Sequence, residues 1–130
     1  MCIRDSINIL YVEDNDDNAY MLSRRLTKKG FSVVVSSNGK AGVETAQELL
    51  PDLILMDLNL PVMDGITATK ILKSDDKTAG IPIIVVSSHV FPGERESSMD
   101  AGCDEFETKP INFERLLKKI QQFTGQALTS

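Results

Sequence analysis

The sequence predicts an α/β fold in which a five-stranded parallel sheet is doubly wound, with five helices covering its two faces. Short apolar or β-branched runs alternate along the chain with longer segments of helical spacing, which is the pattern of parallel strands joined by crossover helices. The run Leu53–Met56 contains no polar residue. Such an uninterrupted run is typical of a central strand that is buried on both faces.

Length and composition place the chain among ordinary single domains. Its 130 residues suffice to bury a hydrophobic core without stabilising cross-links or a structural metal. A composition of 42% hydrophobic and 25% charged residues is usual for a soluble protein. A net charge of -5 without clustered Lys or Arg argues against direct nucleic-acid binding. The two cysteines, Cys2 and Cys103, do not show the spacing of a disulfide framework, which favours a reducing compartment. The first apolar run is too short for a signal or a membrane span, so we expect a cytoplasmic protein with no membrane partner.

The first strand is predicted over Ile7–Val12, after a loose N-terminal extension, residues 1–6. An acidic loop follows, and a helix is predicted over about 19–29, with Gly30 ending it. We expect the inner side of this helix to carry Met21, Leu22 and Leu26.

The second strand is predicted over Phe31–Val35, and a turn then opens a helix over about 40–50. The inner face of that helix is predicted to consist of Ala41, Ala46, Leu49 and Leu50. The central strand comes next and ends at Asp57. After a loop, Asp64 is predicted to cap a helix over about 66–73.

The fourth strand is predicted over Ile81–Val86, with Ser87 at its carboxyl end. A helix over about 92–101 is less strongly indicated because it contains a polar run. A short fifth strand is expected within 103–108, and the last helix spans about 112–123 with Asn112 as its cap. The domain is thus predicted over 7–124, followed by a tail over 125–130.

These elements imply the strand order 2-1-3-4-5, a flavodoxin-like arrangement with right-handed crossovers. Strands 1 and 3 are then neighbours, and Glu13, Asp14 and Asp57 converge at one sheet edge. Three nearby carboxylates repel one another, so we expect a hard divalent cation there. Mg²⁺ fits this oxygen-rich site, with Mn²⁺ as an alternative.

The same edge suits phosphoryl transfer. A carboxylate beside Mg²⁺ can attack a phosphoryl group and form an aspartyl phosphate. Lys109, at the end of strand 5, and Ser87 are placed to supply a fixed cation and a hydrogen-bond donor. Without the acid cluster, the favoured interpretation of Lys109 is a solvated lysine and that of Ser87 a strand-end hydroxyl. Met56, Met63 and Met99 are most simply packing residues.

Taken together, these residues identify the chain as similar to response-regulator receiver domains, the family of the chemotaxis regulators. The resemblance extends from Ile7 to about Phe123, and its motifs arrive in order: Val12-Glu13-Asp14-Asn15, Asp57 with Pro61 and Asp64-Gly65, Ser87 after Pro82–Val86, and Lys109-Pro110. It implies a role in two-component signalling, in which Asp57 accepts a phosphoryl group from a histidine kinase or a histidine phosphotransfer protein. Such a domain is not a conventional enzyme, although it assists its own phosphorylation and dephosphorylation.

The resemblance also implies individual roles. Glu13, Asp14, Asp57 and the backbone carbonyl of Asn59 would hold Mg²⁺, and Lys109 would contact the phosphoryl group. The hydroxyl of Ser87 would move toward that phosphoryl group after phosphorylation. Phe106 would be the aromatic switch residue, and it lacks the hydroxyl of the tyrosine that is more usual at this position. Further implied features are a cis Lys109–Pro110 bond, a target surface formed by helix 4, strand 5 and helix 5, and lifetime tuning by Asn59 and His89. On composition alone, the favoured interpretation of Phe106 is a core residue, and His89 is most simply a surface loop residue.

Two other functions remain open at this point. A receiver-like module that binds its partner without phosphate is one. A phosphohydrolase of the haloacid-dehalogenase group is the other, although Asn59 stands where those enzymes need an acid for proton transfer. Only residues 124–130 follow the last predicted helix, so we expect partner binding to carry the function. A phosphorelay shuttle, a stand-alone regulator and a receiver from a hybrid kinase all fit that expectation.

Overall fold

In the computed structural model of the chain, the described residues are 7–58, 60, 62–87, 93–109 and 111–125. They form strands β1 (Asn8–Val12), β2 (Ser32–Ser36), β3 (Leu53–Asp57), β4 (Ile83–Ser87) and β5 (Glu105–Thr108). Helices alternate with them: α1 (Asp16–Lys28), α2 (Gly39–Leu49), α3 (Gly65–Ser74), α4 (Glu94–Asp100) and α5 (Phe113–Thr124). Within these ranges, no helix has the length and apolar character needed to cross a membrane.

The sheet confirms the predicted topology. All strand pairings are parallel, and the spatial order is β2-β1-β3-β4-β5. Every residue of β3 and β4 is buried, as their continuous apolar runs predict. The register places Asp57 beside Val86 and Ser87 beside Thr108, so β3, β4 and β5 end at one common edge.

Apolar side chains fill the space on both faces of the sheet. Alternation along β1 sends Ile9 and Tyr11 to one face and Leu10 and Val12 to the other. The first face packs against α1 and α5 through residues that include Leu22, Leu26, Leu116 and Ile120. The second packs against α2 and α3 through residues that include Val43, Ala46, Ala68 and Leu72. The sheet is therefore held rigid between two helical layers, and its edge is a fixed platform for a site.

Helix α1 begins three residues earlier than predicted. Asn15 is its N-cap, because its side chain accepts a hydrogen bond of 2.9 Å from the backbone N–H of Asn18. Asp16 and Asp17 then occupy the first turn, where the helix dipole favours negative charge. The prediction that Met21 faces inward is wrong, since its side chain is 64% exposed.

The predicted inner face of α2 is also partly wrong. Asn38 caps the helix, which begins at Gly39, and Leu49 and Leu50 are exposed. The buried side consists instead of Gly39, Gly42, Val43 and Ala46. A Cβ on Gly42 would lie 2.8 Å from a methyl carbon of Val12, so the close approach of α2 to β1 requires glycine. This approach fixes the rotation of α2 and turns its final leucines outward.

The remaining helices follow the predictions more closely. Asp64 caps α3 and Asn112 caps α5, as expected. Helix α4 is shorter than predicted: it begins at Glu94, and Pro92, its predicted start, lies outside the described residues. Met99 on α4 is 44% exposed, so the expectation that it is a packing residue is wrong, whereas Met56 is fully buried.

A buried carboxylate joins β5 to α5. Glu107 is 2% exposed and accepts hydrogen bonds from the Arg115 guanidinium, from Nε to Oε2 at 3.0 Å and to Oε1 at 3.2 Å, and from Nη2 to Oε1 at 2.8 Å. Lys119 Nζ lies 2.7 Å from Oε2. Burial alone would raise the pKa of Glu107, but the hydrogen bonds from Arg115 and Lys119 outweigh it and hold the pKa below its ordinary value of 4.5.

This shift gives a pH-dependent contribution to stability. Because the pKa of Glu107 is lower in the folded chain than in the unfolded one, its stabilisation is complete above about pH 4.5 and is lost as the pH falls through the folded-state value. We therefore expect the difference in unfolding free energy between wild type and Glu107→Gln to stay constant from neutral pH to about pH 5 and to shrink below that. Urea unfolding at a series of pH values measures it, with Glu105→Gln, whose carboxylate is 3.7 Å from Lys119, as the control on the same strand. A pH-independent difference would contradict the assignment.

Candidate functional site

The first acid of the site follows β1 directly. Glu13 is 2% exposed, and its backbone N–H donates to the carbonyl of Ser36 at 2.9 Å, which extends the β1–β2 pairing by one residue. Its side-chain Oε1 accepts hydrogen bonds from the Tyr11 hydroxyl at 3.0 Å and from Lys109 Nζ at 2.8 Å. Because β1 lies next to β3, this carboxylate is held at the sheet edge where β3 ends.

The second acid ends the central strand. Asp57 is the last residue of β3 and is 4% exposed. Lys109 follows β5, and its Nζ lies 3.5 Å from Asp57 Oδ2. The backbone N–H of Lys109 donates to the carbonyl of Ser87 at 2.8 Å, which fixes the start of the lysine side chain against the end of β4. The Lys109 ammonium thus contacts both the carboxylate that follows β1 and the one that ends β3.

A third acid completes a cluster. Glu13, Asp14 and Asp57 each offer one carboxylate oxygen, and these oxygens all lie within 4.8 Å of one another. Asp14 is exposed while the other two are buried, so the cluster opens to solvent on one side. Lys109 compensates only one of the three negative charges. Oxygen ligands at this spacing, with an excess of negative charge, fit a hard divalent cation such as Mg²⁺.

The ionisation of the buried groups follows from their partners. Burial would raise the pKa of Glu13, but the hydrogen bond and positive charge of the Lys109 ammonium, together with the hydrogen bond from the Tyr11 hydroxyl, outweigh burial and lower it. Glu13 is therefore an anion at neutral pH. Burial, and after it the charge of Glu13, raises the pKa of Tyr11, so its hydroxyl keeps its proton and acts as a donor.

Two further predicted residues lie on the neighbouring strands. Ser87 ends β4 and is fully buried, and its hydroxyl donates to Glu94 Oε1 of α4 at 2.9 Å. Phe106 of β5 is 4% exposed and belongs to the apolar cluster shared with α2 and α3. The guanidinium carbon of Arg95 lies 5.9 Å from the centre of its ring. The structure therefore connects the sheet edge to the first turn of α4 through both residues.

Some predicted features fall outside the described residues. These are the backbone carbonyl of Asn59, the side chain of His89 and the peptide bond between Lys109 and Pro110. Conversely, sequence analysis missed the parts played by Tyr11 and Glu94. A signal existed for Tyr11, because residues 11 and 13 share a face of the same strand. No comparable signal predicts Glu94, which meets Ser87 only through the packing of α4.

Comparisons with known proteins agree with this geometry. The family model of the response regulator receiver domain matches residues 9–121. The polar-differentiation response regulator DivK of Brucella anthropi is 34% identical over 120 residues, which cover 92% of this chain and 98% of that protein.

Among solved structures, the receiver domain of a sensor histidine kinase from Pseudomonas aeruginosa is 31% identical with a TM-score of 0.86, covering 93% of this chain and 99% of that one. That structure has a magnesium ion coordinated in its active-site cleft. The signal receiver domain of a histidine kinase from Syntrophus aciditrophicus is 28% identical with a TM-score of 0.87, covering 96% and 98%.

Proposed function

The chain belongs to the response regulator receiver domain family of two-component signalling, and from that premise we propose that Asp57 is its phosphoacceptor and that Glu13 and Asp14 bind the required Mg²⁺. Domains of this family are signalling domains and not conventional enzymes. They exchange phosphoryl groups with histidine kinases or phosphotransfer proteins and act on downstream targets. The donor for this chain is proposed to be one of these two classes of protein.

One observation carries the proposal. A buried aspartate ends the central strand, within 4.8 Å of two further carboxylates and 3.5 Å from a lysine ammonium. A structural ion pair needs only one acid for each cation, whereas this cluster has three acids for one lysine. The excess negative charge is explained by a divalent cation, and the anchored lysine by an incoming anion.

The proposed reaction uses groups that are already in place. An Asp57 carboxylate oxygen attacks the phosphorus of a phosphohistidine, the phosphorus–nitrogen bond breaks, and the released imidazole takes up a proton from water. Mg²⁺, held by Glu13, Asp14 and Asp57, would neutralise the charge on the transferring oxygens. Mn²⁺ is an alternative ion for the same ligands. Lys109 turns from Glu13 toward the new phosphoryl group, and in this sense the chain assists its own phosphorylation and dephosphorylation.

The lifetime of the phosphorylated state is proposed to depend on Asn59 and His89. Both lie outside the described residues, so this proposal comes from the sequence alone. The decay rate of phosphorylated His89→Ala, compared with wild type, tests it, and equal rates would remove His89 from the mechanism. The cytoplasmic location likewise stays a prediction from the sequence.

We propose the surface formed by α4, β5 and α5 as the target-binding face. The support is the hydrogen bond from Ser87 to Glu94, the first residue of α4. When Ser87 turns toward a phosphoryl group on Asp57, this bond breaks. Buried Phe106 lies on the neighbouring strand β5, with the guanidinium carbon of Arg95 of the same helix 5.9 Å from the centre of its ring. Amide exchange that changes on phosphorylation only around α1 would contradict this placement.

Intact-mass measurement after incubation with a small acyl phosphate tests the phosphoacceptor. We expect one phosphoryl adduct on wild type in Mg²⁺, and essentially none in EDTA or in Asp57→Asn. Asp64→Asn is the matched control, because Asp64 is also an acid near this edge but serves as the cap of α3. A full yield from Asp57→Asn would overturn the proposal. Failure of the wild type to react at all would favour a module that binds without phosphate.

A further inference from the structure

Two donors converge on one oxygen of Glu13. The Tyr11 hydroxyl lies 3.0 Å from Oε1, and Lys109 Nζ lies 2.8 Å from the same atom. Tyr11 is 1% exposed, and its ring belongs to the apolar cluster that β1 shares with α1 and α5. The hydroxyl is therefore carried on a ring that packing holds in place, while the lysine ammonium ends a long flexible side chain.

The proposed reaction makes contradictory demands on Lys109. Its ammonium donates a hydrogen bond to Glu13 in the unphosphorylated chain, yet it has to contact the phosphoryl group once Asp57 is phosphorylated. When it leaves, Glu13 Oε1 loses a charged donor while remaining 2% exposed. If Oε1 then had no donor, its burial would be costly. The carboxylate would be held by the 3.3 Å hydrogen bond from the Asn15 backbone N–H to Oε2, which is a weaker restraint on its orientation than a donor at each oxygen.

We propose that Tyr11 is a positioning residue of the phosphorylation site, whose hydroxyl holds the Glu13 carboxylate in its metal-binding orientation while Lys109 moves to the phosphoryl group. This inference rests on the proposed function and deepens it. Tyr11 touches neither the phosphoryl group nor the metal, and it acts only through Glu13. The alternative is that Tyr11 merely fills the core, in which case its hydroxyl has no effect on the cation.

The first test measures Mg²⁺ affinity by calorimetry without any phosphodonor. Tyr11→Phe keeps the buried ring and removes the hydroxyl. We expect it to weaken Mg²⁺ binding about tenfold, which corresponds to about 1.4 kcal/mol, near the lower end for a hydrogen bond to a charged group. Tyr20→Phe is the matched control, because Tyr20 is 63% exposed and its hydroxyl contacts Arg24 on the surface of α1. Wild-type affinity in Tyr11→Phe overturns the inference.

A double-mutant comparison separates positioning from packing. Tyr11 and Lys109 donate to the same oxygen, so each partly substitutes for the other. The loss of Mg²⁺ affinity caused by Tyr11→Phe should be larger in a Lys109→Met background than in wild type. A role in packing alone predicts equal losses in the two backgrounds, and equal losses overturn the inference.

Intrinsic fluorescence gives a readout that needs no change at Tyr11. The chain has no Trp and only two Tyr, so in Tyr20→Phe all tyrosine emission comes from Tyr11. Because its hydroxyl donates to a carboxylate of the proposed metal site, we expect Mg²⁺ to change the emission saturably, with the calorimetric midpoint. A flat titration overturns the inference. If instead the wild type forms no phosphoryl adduct, the proposed function fails, while the Mg²⁺ measurements still decide the part played by Tyr11.

Discussion

Lys109→Met should destabilise the metal-free protein by about 3 kcal/mol, and Mg²⁺ should restore most of that loss. The reason is that Lys109 Nζ lies 2.8 Å from Glu13 and 3.5 Å from Asp57, and both carboxylates are buried. Removing Lys109 takes a positive charge away from two buried carboxylates. A divalent cation bound by the same acids replaces the missing charge. Urea unfolding in EDTA and in excess Mg²⁺ measures both effects.

The control for this prediction is Lys73→Met. Lys73 has nearly the same side-chain exposure, 17% against 16%, and pairs with Asp104 at 2.9 Å away from the acidic cluster. Its loss should also destabilise the protein, but Mg²⁺ should not compensate for it. Lys109→Met should still bind Mg²⁺, because Lys109 is not a ligand, while its response to phosphorylation should weaken. A Lys109→Met variant that is equally unstable with and without Mg²⁺ would contradict a cation site at these acids.

Gly65→Ala should be a strongly damaging methyl addition at the site. A Cβ at Gly65 would collide with the backbone carbonyl oxygen of Asp57 and would lie 2.8 Å from Leu58 Cα. Both obstacles are backbone atoms, so no side-chain rotation relieves the contact, and either β3 or the first turn of α3 has to move. We expect a loss of about 3 kcal/mol in unfolding free energy, at the upper end for overpacking.

The same substitution should slow phosphorylation, because the displaced atoms belong to Asp57 itself. Urea unfolding and the initial rate of adduct formation from an acyl phosphate measure the two effects. Gly80→Ala is the matched control, since among the described residues, apart from its two chain neighbours, no atom lies within 4 Å of its added Cβ. Near-wild-type values for Gly65→Ala in both measurements would show that the close approach of α3 to β3 is not required.

The strand order and the location of the site could be predicted because both follow from patterns that span whole elements. Alternating strand and helix signals imply parallel crossovers, and those bring the ends of β1 and β3 together whatever the details of packing. The orientation of helices about their axes depends on local contacts that the sequence does not display. Met21 and Leu49 lie at positions that suit an inner face, yet both are exposed. The rotation of α2 about its axis is set by the close fit of Gly42 against Val12.

The partners of individual side chains were harder still to predict. Both Glu13 and Asp57 are suitable partners for Lys109, and its closer approach to Glu13 is seen only in the folded structure. The bond between Ser87 and Glu94 depends on where the short helix α4 begins, and the sequence signal for that helix is weak. Contacts of this kind are set by side-chain rotamers within a finished fold, which a one-dimensional pattern does not encode.

The most direct test of the account identifies which carboxylate receives the phosphoryl group. Protein treated with an acyl phosphate is reduced with borohydride, which converts an aspartyl phosphate to homoserine, and is then digested and mapped by mass spectrometry. The account predicts homoserine at position 57 in samples that contained Mg²⁺ and at no position in samples that contained EDTA. Homoserine at position 14 or 52, or equal labelling of Asp57 with and without Mg²⁺, would contradict it.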